Sequence, residues 1–284
     1  MFRLAKSLTL AVVVCTATAR ADDTVLLRYK YSPGQVLQYE GKQTMMVEST
    51  VAGTTRKLDS ATNSVRQWRV LSVDAQGNAR LSLSLIRAQV DATTPDGKKI
   101  AFDTERDANS PLADVVGMPL VEVVLSPAGQ VVSFGQPKTP AAGHFAAYLR
   151  TVLFPMPAQP VKVGATWQHE LTLPLPPPVG RDESVRIRQA FRLEKLTESI
   201  ATINLESTLA EEVKDQAVME RVAQFLPKGR FEFDLPRGVV RSLELNVDQK
   251  VTEFAGKGSQ MTVAGSERMT LTSIVAGKES DRPR

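Results

Sequence analysis

Most of the sequence alternates between apolar and polar residues with a period of two. In SVRIRQAFRLE, the apolar residues Val185, Ile187, Phe191 and Leu193 are separated by polar or charged positions. The segments ARLSLSLIRAQV, ATINLESTL, FEFDL and SLELNV repeat this alternation. Successive side chains of a strand point to opposite faces, so the pattern predicts antiparallel strands with one buried face. The intervening DAQGN, SPAG and LPRG have the composition of tight turns.

Two segments favour a helix instead. In TPAAGHFAAYLRTVLFP, Thr139 can cap a helix, Pro140 can occupy its first position and Pro155 ends it. In EEVKDQAVMERVAQFLP, we place Glu211 in the first turn, where a negative charge complements the helix dipole, and Pro227 ends the run.

Three blocks of sequence recur in the same order. Each half has an opening with a glycine and an aromatic residue (SPGQVLQYEG, VKVGATWQHE), a strand pair, and a strand–turn–strand with a Pro-Gly turn. Within the strand pairs, Ser64-Val65-Arg66 matches Ser184-Val185-Arg186. Such recurrence is typical of an internal duplication. The alternative, that β-rich sequences resemble one another at this level, stays open.

These patterns predict a mainly β fold with two internally repeated, antiparallel curved sheets and one or two short helices. Each sheet would be a meander, half-barrel or sandwich-like unit. The predicted parts are a signal peptide at 1–21, a first β-rich unit at 22–138, a helix and proline-rich connection at 139–160, a second β-rich unit at 161–275 and a disordered tail at 276–284.

The first 21 residues have the organisation of an export signal. Arg3 and Lys6 precede the apolar run LTLAVVVC, and Ala19 and Ala21 are small residues at a cleavage-like position. Val14 stands where a lipid-anchor motif at Cys15 would need a small residue, which disfavours an anchor. We therefore predict an exported protein, periplasmic or extracellular, with no transmembrane helix in the mature chain.

Removal of this segment nearly abolishes the net charge. The full chain has 35 basic and 31 acidic residues, and the loss of Arg3, Lys6 and Arg20 leaves 32 basic against 31 acidic ones. A balanced chain without a basic block does not predict nucleic acid as a partner. Cys15 is the single cysteine, so the mature chain has no disulfide and no thiolate site.

The chain resembles a family of uncharacterised secreted β-rich proteins, best known from planctomycete bacteria and defined as a domain of unknown function. The resemblance is carried by LLRYKYSPGQVLQYEG, PLADVVGMPLVEVVLSPAGQVVSF and PAQPVKVGATW, and it covers most of the mature chain. It implies a bacterial envelope or secreted setting. It brings no catalytic residues to this sequence.

Residues suited to catalysis or metal binding are sparse. His144 and His169 lack the spacing of a metal-binding pair. Asp103, Glu105 and Asp107 in DTERD could present carboxylates to Ca²⁺, but a solvated loop in which Arg106 neutralises part of the charge explains them better. We predict no catalytic, cofactor-binding or metal-binding residue and no cofactor.

Three classes of function remain after these exclusions. The sequence favours a non-enzymatic envelope or interaction module, whose partner would be a protein or an envelope component. The alternative is a periplasmic carrier that holds an apolar ligand in a half-barrel cavity. The third class is a hydrolase without a recognisable motif. A continuous apolar cavity would favour the carrier, and converging titratable groups would favour the enzyme.

Metal removal tests the prediction of a metal-free fold. We expect EDTA and reductants to leave the melting temperature unchanged, because the mature chain has neither a thiol nor a convincing ligand set. Thermal unfolding with and without chelator measures this. A fall of several degrees in EDTA would contradict the prediction and would point first to Asp103, Glu105 and Asp107.

Overall fold

A computed structural model describes residues 24–107, 112, 115–136, 140–175 and 183–277, without the side chains of 140–142, 144, 183 and 217. The predicted signal peptide, the Thr139 cap and most of the predicted tail lie outside these residues. The described chain forms twelve strands: β1 Val36–Val51, β2 Thr54–Val73, β3 Ala79–Thr93, β4 Lys99–Asp103, β5 Pro119–Leu125, β6 Val131–Phe134, β7 Thr166–Leu175, β8 Glu183–Leu196, β9 Ile200–Leu209, β10 Lys228–Asp234, β11 Val239–Thr252 and β12 Gln260–Val275.

All twelve strands belong to one antiparallel sheet. Their order is β6-β5-β3-β2-β1-β12-β11-β10-β9-β8-β7, with β4 paired to β3 beside β5. Within the described chain, β6 and β7 form the two outer ends of this order, so the sheet is curved but not closed. The prediction of a mainly β, antiparallel, curved fold with one or two short helices is confirmed.

Both predicted units belong to a single sheet, and not to two sheets as the sequence predicted, because β1 pairs with β12. Their register runs from Val36 opposite Val275 to Thr50 opposite Gln260. The four strands around this seam, β2, β1, β12 and β11, are also among the longest in the protein. Long strands therefore lie at the middle of the sheet order.

The period-two alternation of the sequence determines which face of the sheet is buried. On β8, Val185, Ile187, Phe191 and Leu193 are buried, whereas Arg192 between the last two is exposed. We call the face with these buried side chains the inner face. Each buried Leu, Ile or Phe side chain contributes about 1.5–3 kcal/mol to folding, so one-sided burial largely fixes the strand registers.

Helix α1, Pro140–Thr151, packs between the two halves of the sheet. Ala146 and Leu149 contact the first half at Leu83 and Val121, and Ala147 faces the second half at Leu173. The helix thus covers inner-face side chains of both halves at once.

Helix α2, Gln216–Val222, begins later than the sequence predicts and continues as a 3₁₀ turn over Ala223–Phe225. The placement of Glu211 in the first helical turn is wrong. Glu211 instead pairs with Arg186 of β8 at 2.8 Å, next to a backbone hydrogen bond from the Ala210 N–H to Arg186 O. Val222 and Phe225 remain buried, as expected of the apolar side of this segment.

The connection after α1 crosses the centre of the inner face. Phe154 stacks on Phe231 of β10, with ring centroids 4.3 Å apart, and meets Phe191 edge-on. The Trp167 indole donates a hydrogen bond to the Pro155 carbonyl at 2.9 Å. Aromatic packing of this kind adds about 0.5–1.5 kcal/mol per pair beyond simple burial, so the connection is a structural element of the core.

Residues 25–31, which we call the strap, tie together turns from both halves. Tyr29 N–H donates to Pro127 O in the β5–β6 turn, and Lys30 N–H donates to Gly238 O in the β10–β11 turn. Gly129 and Gly238 both have positive φ. A Cβ at Gly129 would lie 2.4 Å from the Tyr29 ring, and one at Gly238 would lie 2.5 Å from the Lys30 side chain. The turns need glycine for backbone conformation and for this close contact.

The internal repeat stays a prediction. Each half contains a consecutive antiparallel series, β1-β2-β3 and β7-β8-β9. The tripeptide match that suggested it does not hold residue by residue. Arg66 is buried on the inner face, whereas Arg186 is exposed and pairs with Glu211. If the two halves are repeats, their structural alignment therefore does not pair Arg66 with Arg186.

Leucine truncation tests the burial of equivalent strand pairs. Leu83 on β3 and Leu205 on β9 are both buried, so we expect Leu83→Ala and Leu205→Ala each to lower the free energy of unfolding by about 2–5 kcal/mol. Urea denaturation measures this. Leu71→Ala is the control, since Leu71 is 41% exposed and should change little. A loss below that of the control at either buried site would contradict the packing.

Candidate functional site

The inner face contains a partly enclosed cavity of about 320 Å³. One wall is formed by β1, β2, β11 and β12, and the facing walls by α1 and the segment from the 3₁₀ turn to Pro227. Most of the lining is apolar, and the side chains that contribute it are Met45, Phe145, Val152, Phe225, Leu245 and Val247. The ionisable groups of the lining are Arg66, Tyr148 and Glu267, which form one cluster.

Arg66 of β2 and Glu267 of β12 form a buried ion pair. Arg66 Nη1 lies 3.0 Å from Glu267 Oε1, and the two residues are 8% and 6% exposed. They approach each other across β1, where Gly41 stands between their register partners. A Cβ at Gly41 would lie 3.0 Å from Ser64 Oγ and 3.9 Å from the Met269 side chain. Since Gly41 has no side chain, this part of the inner face is free for the ion pair.

Tyr148 of α1 completes the cluster. Its hydroxyl donates a hydrogen bond to Glu267 Oε2, and Arg66 Nη1 lies 3.5 Å from the same hydroxyl. The Arg66 guanidinium carbon is 5.5 Å from the ring centroids of both Phe145 and Tyr148. Contact with aromatic faces stabilises a partly desolvated cation. The helix thus supplies a hydrogen bond to the carboxylate and ring contacts to the guanidinium.

The cluster is electrically neutral as a unit. Burial alone lowers the pKa of Arg66, but Tyr148 and Glu267 outweigh that effect and the pKa lies above its ordinary value. Burial, followed by the charge of Glu267, raises the pKa of Tyr148 well above its ordinary value. At neutral pH the guanidinium is therefore charged and the phenol protonated. Removal of one partner of such a pair costs about 3–5 kcal/mol, because the other charge stays buried.

Two β-bulges lie beside the cluster. The register of β2 with β3 shifts next to Arg66 and leaves Ile86 as an extra residue. The register of β1 with β12 shifts next to Tyr39, the partner of Arg66 on β1, and leaves Thr272 extra. Bulges bend strands and redirect side chains, and they are common next to functional sites.

A second polar row crosses the inner face on β7, β8 and β9. His169 is opposite Gln189, which is opposite Ser207. The Gln189 side-chain NH₂ donates to Thr151 O at 2.7 Å. Among the described residues, Gln189 Oε1 and Ser207 Oγ are buried without a hydrogen-bond partner. This row borders the cavity through Thr151, although none of its three residues lines the cavity.

Two of the three acidic residues singled out in the sequence pair with an arginine from a neighbouring strand. Asp103 accepts a hydrogen bond from Arg87 at 2.9 Å, and Glu105 lies 3.0 Å from the same guanidinium. Asp107 accepts from the Asp103 backbone N–H. The expected partner, Arg106, is farther away at 4.0 Å. Among the described residues, no group of three or more His, Cys, Asp or Glu is arranged to hold a metal ion.

Of the two histidines, the structure describes the side chain of His169. His169 is half-buried on the side of β7 that also carries Trp167. Burial, partly offset by Glu170, lowers the pKa of His169, so the ring is neutral at neutral pH. The side chain of His144 lies outside the described residues.

Sequence reasoning missed the residues that form the cluster, although a signal was present. On β12 the inward positions read Met261, Val263, Gly265, Glu267 and Met269, so one carboxylate interrupts an apolar series. Arg66 likewise interrupts the inward side of β2. A charge of each sign at inward positions is the signature of a buried pair.

Comparison with known proteins gives a fold and no family. No protein-family model matches the chain, and no curated protein matches it. A solved structure that describes lipid–protein interactions in lipovitellin is similar with a TM-score of 0.51 and 12% identity, over 89% of this chain and 27% of that one. The chain thus spans about a quarter of that protein's chain, and the likeness shows a shared fold.

A second similar structure is a beta-barrel-like protein of a domain of unknown function from Brucella abortus. Its TM-score is 0.26 at 9% identity, over 88% of this chain and 98% of that one. Membership of the secreted family suggested by the sequence stays a prediction. Of the helices that the structure describes, none is both long and apolar enough to cross a membrane.

The four tyrosines of the chain give a pH prediction. Burial raises the pKa of all four residues, Tyr29, Tyr31, Tyr39 and Tyr148. Electrostatic repulsion from neighbouring groups raises three of these pKa values further: Tyr39 acts on Tyr29, Tyr29 and Tyr39 act on Tyr31, and Glu267 acts on Tyr148. The folded state therefore holds phenol protons that the unfolded state loses near pH 10. This contribution to stability is complete below about pH 10 and is lost as the pH rises further.

We expect phenolate absorbance to appear together with the loss of circular dichroism in an alkaline titration. Denatured protein in urea is the control and should titrate near pH 10. Tyrosines that ionise at that pH while the native spectrum is retained would contradict the burial of these hydroxyls.

Proposed function

We propose that this chain is a non-enzymatic binding or carrier protein that holds an apolar ligand in the cavity on its inner face. The observation that carries the proposal is the cavity itself. A sheet with one apolar face must cover that face, and here α1, the connection and α2 cover it while leaving an apolar space beside Val247 and Leu245. Among the functions left open by the sequence, this favours the carrier.

The size and lining of the cavity suit a small ligand. Ligand pockets are commonly about 300–1,000 Å³, mostly apolar, with a few convergent polar groups that orient the ligand. The volume of about 320 Å³ lies at the lower end of that range. The Arg66–Glu267–Tyr148 cluster would be the orienting group.

The chemistry of the cluster argues against acid–base catalysis. A general acid or base works best with a pKa near the working pH. The pKa values of Arg66 and Tyr148 are both shifted upward, away from neutrality. Both oxygens of Glu267 already accept hydrogen bonds. These properties favour binding over hydrolysis, the third class that the sequence left open.

The similar lipovitellin structure is compatible with this proposal. It describes lipid–protein interactions, and lipids are largely apolar ligands. Because the present chain spans about a quarter of that protein's chain, the comparison supports an apolar ligand and says nothing of its identity. We also propose that the chain is exported, on the strength of its signal-like first 21 residues.

Filling the cavity tests the proposal. Val247 lines the cavity and lies opposite Gly265, which has no side chain, so the space can accept a larger residue. We expect Val247→Phe to weaken binding of the uncharged fluorescent probe N-phenyl-1-naphthylamine at least about tenfold, which corresponds to about 1.4 kcal/mol. The stability loss should be smaller than the about 1–3 kcal/mol of an overpacked core, because the ring enters empty space.

Val132→Phe is the matched control, since Val132 is 58% exposed on β6. It should leave probe binding unchanged. The probe should also raise the melting temperature of the unsubstituted protein, because a ligand that binds the folded state stabilises it. Absence of probe binding, or equal binding by both variants, would overturn the cavity as the ligand site.

A further inference from the structure

Counted over the described part of the chain, the cluster in the cavity uses fewer hydrogen-bond donors than it has. A guanidinium has five N–H donors on three nitrogens. The hydrogen bonds of Arg66 to Glu267, Tyr148 and the Met269 sulfur are all made by Nη1. The ion pair is thus monodentate, without the two parallel hydrogen bonds of a bidentate arginine–carboxylate pair. Nε and Nη2 are not committed to the carboxylate.

The acceptor atoms of the cluster, the two carboxylate oxygens of Glu267, each already accept a hydrogen bond, unlike the spare donors of Arg66. Glu267 Oε1 accepts from Arg66, and Glu267 Oε2 accepts from the Tyr148 hydroxyl. A ligand group that enters beside the guanidinium therefore meets spare donors. The matching ligand group is a hydrogen-bond acceptor such as a carbonyl or carboxylate oxygen.

The charge of the ligand head distinguishes an uncharged acceptor such as a carbonyl from an anionic one such as a carboxylate. Arg66 and Glu267 cancel each other, so an anionic head would add an uncompensated negative charge to a largely apolar cavity. An unpaired buried charge is strongly disfavoured. Glu267 would also repel an anionic head directly. An uncharged acceptor meets neither penalty.

We propose that the ligand is an amphiphile with an alkyl body and an uncharged head that bears an acceptor oxygen, as in an ester, amide or ketone. This inference rests on the proposed function and specifies its ligand class. The head oxygen accepts from the Arg66 guanidinium, and the alkyl body lies against Val152, Phe225 and Val247. Glu267 acts as a specificity-determining residue, because its charge excludes carboxylates and other anionic heads.

Competition between matched ligands tests the proposal. Methyl dodecanoate and dodecanoate share one alkyl chain and differ in the charge of the head. At neutral pH we expect the ester to displace N-phenyl-1-naphthylamine at a concentration at least about tenfold lower than the carboxylate does. Equal displacement by both, or tighter binding of the carboxylate, would overturn the inference.

Glu267→Gln should remove this preference. The substitution keeps the shape of the side chain and an acceptor for Tyr148, but it leaves Arg66 with an uncancelled positive charge. We expect the ratio of the dodecanoate affinity to the ester affinity to rise at least about tenfold over that of the unsubstituted protein. Glu244→Gln is the matched control on the neighbouring strand, where Glu244 pairs with Arg230 and Arg268 on the outer face. It should leave both affinities unchanged.

A double variant tests the same inference if Glu267→Gln does not fold. Arg66→Met with Glu267→Met removes both charges, so no unpaired ion remains. This variant should still bind the fluorescent probe. It should lose the hydrogen bond from Arg66 to the head of the ester, so that the ester binds about tenfold more weakly. An unchanged ester affinity would overturn the role of Arg66. Failure of the unsubstituted protein to bind the probe would instead overturn the proposed function.

Discussion

The pairing of β1 with β12 is the interaction on which the rest of the structure depends. It joins residues more than two hundred positions apart in the chain and converts two series of strands into one sheet. Because β1 then lies between β2 and β12, Arg66 and Glu267 stand on either side of one strand, and Gly41 leaves the space between them unoccupied. The cavity and its cluster therefore exist only after both halves have paired. Neither half carries the complete site by itself.

The buried pair is a costly way to line an apolar cavity. Replacement of such a pair by apolar residues is often neutral or stabilising, so stability alone gives little reason for Arg66 and Glu267 to be charged. Orientation of a ligand gives a reason, because an apolar wall distinguishes heads poorly whereas a fixed dipole distinguishes them well. The contacts of Arg66 with Phe145 and Tyr148 hold the guanidinium in one place, and a fixed donor is more selective than a mobile one.

Local pattern was sufficient to predict the strands, because alternation is a property of neighbouring residues. The inward series Val185, Ile187, Phe191 and Leu193 is buried as its pattern indicates. The start of α2 was predicted too early, because the chain is still paired with β8 at this point: the Ala210 N–H donates a hydrogen bond to Arg186 O, a contact that local pattern does not reveal. The cluster could not be predicted for the same reason. Arg66 and Glu267 each stand out as a charge on an apolar series, but their partnership depends on strand order, which the sequence does not display.

The strap has a consequence for how the protein reaches its final form. Residues 25–31 precede every described strand, yet their backbone partners include Pro127 and Gly238, in turns that form from widely separated parts of the chain. Loop-closure entropy disfavours contacts between distant residues, so we expect these hydrogen bonds to form after the local hairpins. Until then the strap's apolar side chains, Leu27 among them, lack their place in the core. A segment synthesised before every described strand is thus expected to become ordered only after the strands beside both turns have paired. During that interval we expect the incompletely folded protein to expose apolar surface that other unfolded chains, or a chaperone, can bind.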